Sequence, residues 1–268
     1  MRQRSSLSLA YGRTAWQRAA TRGCPSGYPG GSTVKWERGL AVGHGKLLAW
    51  QLAGAFVVIG SVLFGAAGTI AWAAGWVFLA TFFGFVLLLA RWLWVHNPDL
   101  LYERLTAGGF RGQVSWDKLF FSLINLLMLA WLALMALDAV RFHWSHMPLA
   151  VHAAGLAVLL LSYVLLFATF RANSYLSPVV RLQRERGQTV VTTGPYRWLR
   201  HPMYSAGTLL VVGAALLLGS WIGLAVSASI PAALAWRAIQ EERTLAAELS
   251  GYKEYQEQVK YRFIPYIW

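Results

Sequence analysis

Cysteine is nearly missing from these 268 residues: Cys24 stands alone in a polar leader. One thiol cannot close an intrachain disulfide or build a thiolate metal cluster, and a cysteine nucleophile is improbable for the same reason. Acidic residues are scarce too, 11 against 24 lysines and arginines, and none precedes Glu37. No GxGxxG, P-loop or GxSxG pattern occurs, which removes a soluble nucleotide-binding fold. His143 and His146 flank one short polar stretch without a third ligand nearby, so no metal site is expected. His96 and His152 read most simply as residues at the ends of apolar runs.

What the chain has instead is apolar length. Hydrophobic residues make up 57% of it, and the mean hydropathy is +0.45. Leu47–Ala67, Ile70–Val95, Leu119–Leu137 and Pro148–Phe170 each approach the roughly 20 residues that cross a hydrocarbon core. The sequence therefore predicts an all-α, polytopic membrane bundle. A net charge of +13 could point to nucleic acid, but its distribution follows membrane orientation. Basic residues crowd before the first run, between the second and third, and after the fourth. Only Arg141 falls between the third and fourth. That alternation predicts a cytoplasmic N-terminus and no nucleic-acid partner.

A fifth run, Ser205–Trp236, is too long for one comfortable span. A single crossing would strand Arg237, Arg243, Lys253, Lys260 and Arg262 on the outer side. A helical hairpin turning near Gly219-Ser220, either spanning twice or re-entrant, returns them to the cytoplasm. Isolated polar positions within the spans, Asn125, Asp138 and Ser162, are expected to act as contacts between helices.

Residues 1 to 45 lack hydrophobic periodicity and are expected to form a disordered basic tail. Their acid-free, arginine- and serine-bearing start also has the composition of an organelle transit peptide. Asn97-Pro98 ends the second run, and Asp99–Lys118 reads as a polar, amphipathic loop with Trp116 as an interfacial anchor. Thr189–Thr192 is a β-branched patch that could lie extended. Arg237–Arg262 reads as one amphipathic helix with Leu245, Leu249, Tyr252, Tyr255 and Val259 on its apolar face, which Gly251 can interrupt.

The chemistry concentrates in Gly194-Pro195-Tyr196-Arg197-Trp198-Leu199-Arg200-His201-Pro202-Met203-Tyr204. Pro195 and Pro202 fix the backbone there and remove two donors. Arg200 and His201 sit at the mouth of the predicted hairpin, where they could bind a ligand carboxylate, or else reach headgroups and cap a helix. The adjacent carboxylates Glu241 and Glu242 follow the second arm. The hairpin returns them to the side of His201, where cations or a positively charged ligand would offset them.

This motif, the Glu-Glu pair, the Gly-Tyr-Lys-Glu-Tyr that follows and the final Tyr-Arg-Phe-Ile-Pro together resemble the isoprenylcysteine carboxyl methyltransferase and phospholipid methyltransferase superfamily. Asn173-Ser174-Tyr175, Gly187–Val191 and Leu100–Arg104 fit the same pattern, and the likeness covers roughly residues 97–268. It implies a membrane methyltransferase core over 97–268. The two runs before it lie outside the likeness and, joined only by Gly68-Thr69, read as a transmembrane hairpin over 46–96. It also implies S-adenosylmethionine as cofactor, in a cytoplasmic pocket contacted by Gln188, Thr189, Val190, Val191, Tyr196, His201, Pro202, Met203, Tyr204 and Glu242. Arg237 is the arginine nearest the family's acceptor-facing position, at an offset that departs from the pattern. The implied acceptor is lipophilic or small: a prenylcysteine-like carboxylate, a thiol or a phospholipid amine. A bacterial inner membrane or an organelle membrane would hold it. Two other readings compete, a sterol-type NADPH reductase with a similar C-terminal hairpin and a non-catalytic membrane scaffold.

Overall fold

The computed structural model describes residues 32–106, 115–176, 182–183, 186–264 and 268. Cys24 lies outside them, as does the side chain of Trp116. Contacts divide the chain into two units, Met1–Gly45 and Lys46–Trp268. In the first unit the backbone is helical from Ser32, within the stretch expected to be coil.

The long helices are α1 (Ser32–Ala67), α2 (Ala73–His96), α4 (Ser115–Ala136) and α5 (Leu149–Ala172). A shorter helix, α3 (Pro98–Thr106), follows α2 directly. The hairpin consists of α6 (Pro202–Leu218), α7 (Trp221–Ser227) and α8 (Ser229–Glu248), and α9 (Tyr252–Gln258) closes the series. Five helical stretches are long and apolar enough to span a membrane: Gly45–Ala67, Ala73–His96, Ser122–Arg141, Leu149–Ala172 and Trp221–Glu248. Pro202–Leu218 is apolar but shorter. The chain is a multi-pass integral-membrane protein of all-helical build.

Apolar burial against lipid does not drive helices together, so close packing of small residues must. The α5–α6 pair shows this. A side chain added at Gly155 would stand 2.3 Å from the Leu217 backbone nitrogen, and one at Gly213 would stand 2.6 Å from that of Leu159. Leu63, Leu79, Met135, Leu159 and Leu218 fill the surrounding core and are fully buried. Trp131 donates its indole N–H to the Gly223 carbonyl at 2.7 Å, tying α4 to α7.

The hairpin turns at Gly219, which takes the left-handed conformation at φ 84°, and Ser220 then caps α7 by accepting from the Gly223 amide. This turn lies beside the connection between α4 and α5. Asp138 is fully buried in the π-helical turn Leu137–Arg141 that ends α4. Its Oδ2 accepts from the hydroxyls of Ser145 (2.7 Å) and Ser220 (2.5 Å) and from the Ile222 amide (3.3 Å). The Trp221 amide donates to Ser145 Oγ, and His152 contacts the Leu217 carbonyl. The first arm thus reaches the level of the loop joining two full spans. Its 17 residues rise about 25 Å at 1.5 Å each, close to the hydrocarbon thickness. Asp138 is the clamp that holds the turn, a stronger role than generic helix contact. Asp138→Asn should lower stability in detergent by ~1–3 kcal/mol, because asparagine keeps its oxygen on these donors only by burying an amide NH2 at the Oδ1 position, where no acceptor faces it. A thermal melt at unchanged helix content checks it.

Candidate active site

At the other end of the hairpin the motif is held by what precedes and follows it. Gly194 has φ 59°, and a side chain on it would press the Ala172 Cβ at 2.9 Å, so glycine suits the turn. Pro195 then opens the 3₁₀ turn Gly194–Arg197. Leu199 pairs with Tyr261 in an isolated parallel bridge, and the amides of Arg200 and His201 donate to the carbonyls of Tyr261 (3.0 Å) and Arg262 (2.7 Å). Pro202 occupies the first turn of α6, where its missing N–H costs nothing.

The second arm brings the glutamates back. Glu242 is 4% exposed. Its Oε1 accepts from Arg200 Nε at 2.7 Å and lies 3.2 Å from His201 Nε2, while its Oε2 accepts from Arg262 Nε at 3.0 Å. Arg200 also donates to the Val259 carbonyl at 2.9 Å. It is therefore turned inward rather than reaching for headgroups. His201 begins α6 without capping it through its side chain. Its ring lies parallel to that of Tyr204, with centroids 5.2 Å apart. Glu241 is more open, with 29% of its side chain exposed; its Oε2 accepts from the Tyr204 hydroxyl at 2.7 Å and sits 3.8 Å from His201 Nδ1.

Arg200, His201, Tyr204 and Glu241 border a cavity of about 940 Å³, counting its mouth open to solvent. Gln188, Thr189, Val190 and Val191 form one wall, with no strand pairing among the described residues. Tyr196, His201, Met203 and Tyr204 line it from the motif side. Arg237 also lines it, 8% exposed, with its guanidinium 5.2 Å above the Phe120 ring. Two of the expected residues stand behind the wall instead. Pro202 is buried in the turn, and Glu242 is enclosed by its three cationic or imidazole partners.

Several lining residues were not singled out from the sequence as contacts: Asn173, Glu241, Leu245, Leu249, Tyr252 and Tyr255. The helix expected over Arg237–Arg262 breaks in two, because Leu249 turns extended and Gly251 adopts φ 83°. The break keeps the apolar stripe together. Tyr252, Tyr255 and Val259 pack with Val190, Leu245 and Leu249. Asn173 Nδ2 donates to the Tyr196 hydroxyl at 2.9 Å, and the Tyr255 hydroxyl donates to the Tyr196 carbonyl at 2.8 Å. Burial pushes the phenols of Tyr196, Tyr252 and Tyr255 well above their ordinary range, the nearby glutamates adding to it for Tyr252. These tyrosines are neutral donors and flat walls, not phenolate bases.

Residues 150–251 match the family model for phospholipid methyltransferase. Over this segment the match agrees with the phospholipid methyltransferase side of the resemblance read from the motif. The matched segment runs from the start of α5 through Gly251 and so contains the 188–191 wall, the whole motif and both glutamates. A solved structure of a eukaryotic intramembrane Ras methyltransferase, isoprenylcysteine carboxyl methyltransferase, is similar at 20% identity. It covers 82% of this chain and 86% of that one with a TM-score of 0.41, too loose a likeness to carry any argument. No curated protein sequence matches. The phospholipid methyltransferase match and the five apolar helices together support a membrane methyltransferase.

Proposed function

We propose that the protein transfers a methyl group from S-adenosylmethionine to a lipophilic or small acceptor, in a catalytic core spanning residues 97–268. One observation carries the reading: eight of the ten residues implied as cofactor contacts converge on a single cavity at the base of the hairpin. The donor set fits the cofactor. Glu241 offers a carboxylate at the cavity wall for its ammonium group, and Val190, Leu245 and Leu249 offer an apolar face beside flat tyrosine rings for its base. Glu242 and Pro202 act from behind, the one orienting His201 and the other shaping the start of α6.

When bound, the cofactor supplies an electrophilic methyl group on a sulfonium. The chain's own contribution is to hold two reactants in line and keep water away. The 188–191 wall and the Tyr252–Tyr255 face would hold the cofactor between them. His201 and Tyr204, stacked on one another, border the cavity from the motif side. Arg237 would meet an anionic group on the acceptor. The phenols are held neutral, and the other proton acceptors at the wall are already engaged, Glu241 by the Tyr204 hydroxyl and His201 by Glu242. That favours an acceptor already nucleophilic, a carboxylate or thiolate, over an amine that must first lose its proton. The basic residues of the membrane-proximal loops favour a cytoplasmic site, with the acceptor drawn from the bilayer.

Calorimetry on detergent-purified protein tests this. S-adenosylhomocysteine should bind, and His201→Ala should weaken it by roughly 1.5–3 kcal/mol, the range for losing a charge-assisted hydrogen bond. Binding of NADPH alone would move the assignment to a reductase; binding of neither ligand would move it to a scaffold. Methyl transfer to candidate lipids and thiols then identifies the acceptor.

A further inference from the structure

The segment from Val259 onward lies beyond the phospholipid methyltransferase match, which ends at residue 251, yet it is built into the site. Its Tyr261 and Arg262 carbonyls receive the Arg200 and His201 amides. Ser205, one turn into α6, donates its hydroxyl to the Phe263 carbonyl. Phe263 is 3% exposed and meets the Tyr204 ring edge-on at 6.4 Å. The segment then folds on itself: the amides of Arg262, Phe263 and Ile264 all point to the Trp268 carbonyl, at 2.9, 3.3 and 3.3 Å. The Arg262 guanidinium lies 4.6 Å above the Trp268 ring while its Nε donates to Glu242.

Arg262 does not border the cavity. It reaches the cavity through two intermediaries, Glu242 and the His201 that Glu242 orients. We infer that Arg262 is a positioning residue and that Tyr261–Phe263 form a strap whose docking is coupled to cofactor binding. The inference rests on the S-adenosylmethionine reading of the same cavity. Its physical content is linkage. The strap sets the backbone at His201 through two hydrogen bonds from the Arg200 and His201 amides and sets its ring through Glu242. A cofactor that needs His201 and Tyr204 in their cavity-facing pose must therefore bind the strapped form better. By reciprocity the bound cofactor must hold the strap down by the same factor.

The experiment has two arms on the full chain in detergent, both using S-adenosylhomocysteine as probe. In the first, amide hydrogen exchange is followed at Arg200, His201 and Arg262–Ile264 in the wild type, with and without ligand. Saturating ligand should slow these amides by about 5- to 150-fold, the usual span of coupling between sites. In the second, calorimetry compares the wild type with Arg262→Met and Arg262→Lys. The methionine variant should bind about tenfold more weakly, and lysine, which keeps the charge beside Glu242, should recover part of the loss. A merely structural arginine would give neither the partial rescue nor the ligand-linked protection. The strap is overturned alone if the wild type binds the probe but the exchange of these amides does not change, or if Arg262→Met binds as tightly as the wild type. If the wild type fails to bind the probe at all, the functional reading falls and the inference falls with it. The exchange arm needs no variant, so it stands even if Arg262→Met does not fold.

Discussion

Glu242→Ala is expected to destabilise the protein by ~3–5 kcal/mol and to reduce S-adenosylhomocysteine binding below detection. Removing one partner of a buried ion pair leaves the other charged and desolvated, which is the costly case. At this position the loss is compounded. The carboxylate serves Arg200, whose side chain is 8% exposed, together with His201 and the more open Arg262. Two guanidiniums would then face each other and an imidazole across a gap. Their mutual repulsion would push the motif away from the strap and from α8. Glu242→Gln keeps the volume and one acceptor oxygen, so its loss should be intermediate. Thermal unfolding and calorimetry on both variants measure this. Wild-type melting in the alanine variant would show that the two arginines find other counter-charges.

Gly155→Val should have an effect of similar size through a wholly different cause. An added Cβ would stand 2.3 Å from the Leu217 nitrogen and 2.7 Å from the Leu216 carbonyl carbon, both backbone atoms that no rotamer change can move. The helices α5 and α6 would have to separate along this backbone-to-backbone contact. Overpacking of this kind costs typically 1–3 kcal/mol and occasionally more; rigid backbone on the far side places this site at the top of that range. Because α6 carries Met203 and Tyr204 at its other end, cofactor affinity should fall along with the melting temperature. Gly65→Ala is the control. A side chain there meets nothing within 4 Å, so the substitution should be neutral or stabilise by up to ~1 kcal/mol through helix propensity.

The hairpin was legible because two independent signals agreed on it. The run from Ser205 is too long for one crossing, and five basic residues follow it. The turn falls at Gly219-Ser220, where the sequence offered glycine next to a capping serine. How far the turn reaches was not legible, since its depth is set by Asp138, Ser145 and His152, some 65 to 84 residues upstream of the groups they bond. The motif and the Glu-Glu pair stood out as costly groups beside apolar runs, and they do come together. Which glutamate borders the cavity could not be read. Neighbouring residues on a helix point about 100° apart, so a small change in the rotation of α8 exchanges their roles. The spacing of Tyr252 and Tyr255 predicted a buried stripe correctly, but not that Gly251 would turn that stripe over the 188–191 wall. Arg104 illustrates the opposite error. It falls in Asp99–Lys118, which the sequence presented as a polar, amphipathic loop. Instead it is half-buried, with its guanidinium 4.6 Å over the Phe170 ring, and donates to the Leu176 carbonyl at 2.6 Å. Desolvation lowers its pKa to about 10, and charge pattern alone gave no hint of a partner 72 residues away.

The strap also sets a timetable for biosynthesis. Helices α1 to α6 can enter the bilayer and pack while Arg200 and His201 still lack the carbonyls that receive their amides, because those carbonyls belong to Tyr261 and Arg262. A nascent chain stopped short of Val259 would therefore be an inserted bundle with an unformed pocket. Competence to hold a ligand would arrive abruptly, once Tyr261 and Arg262 could dock against the motif.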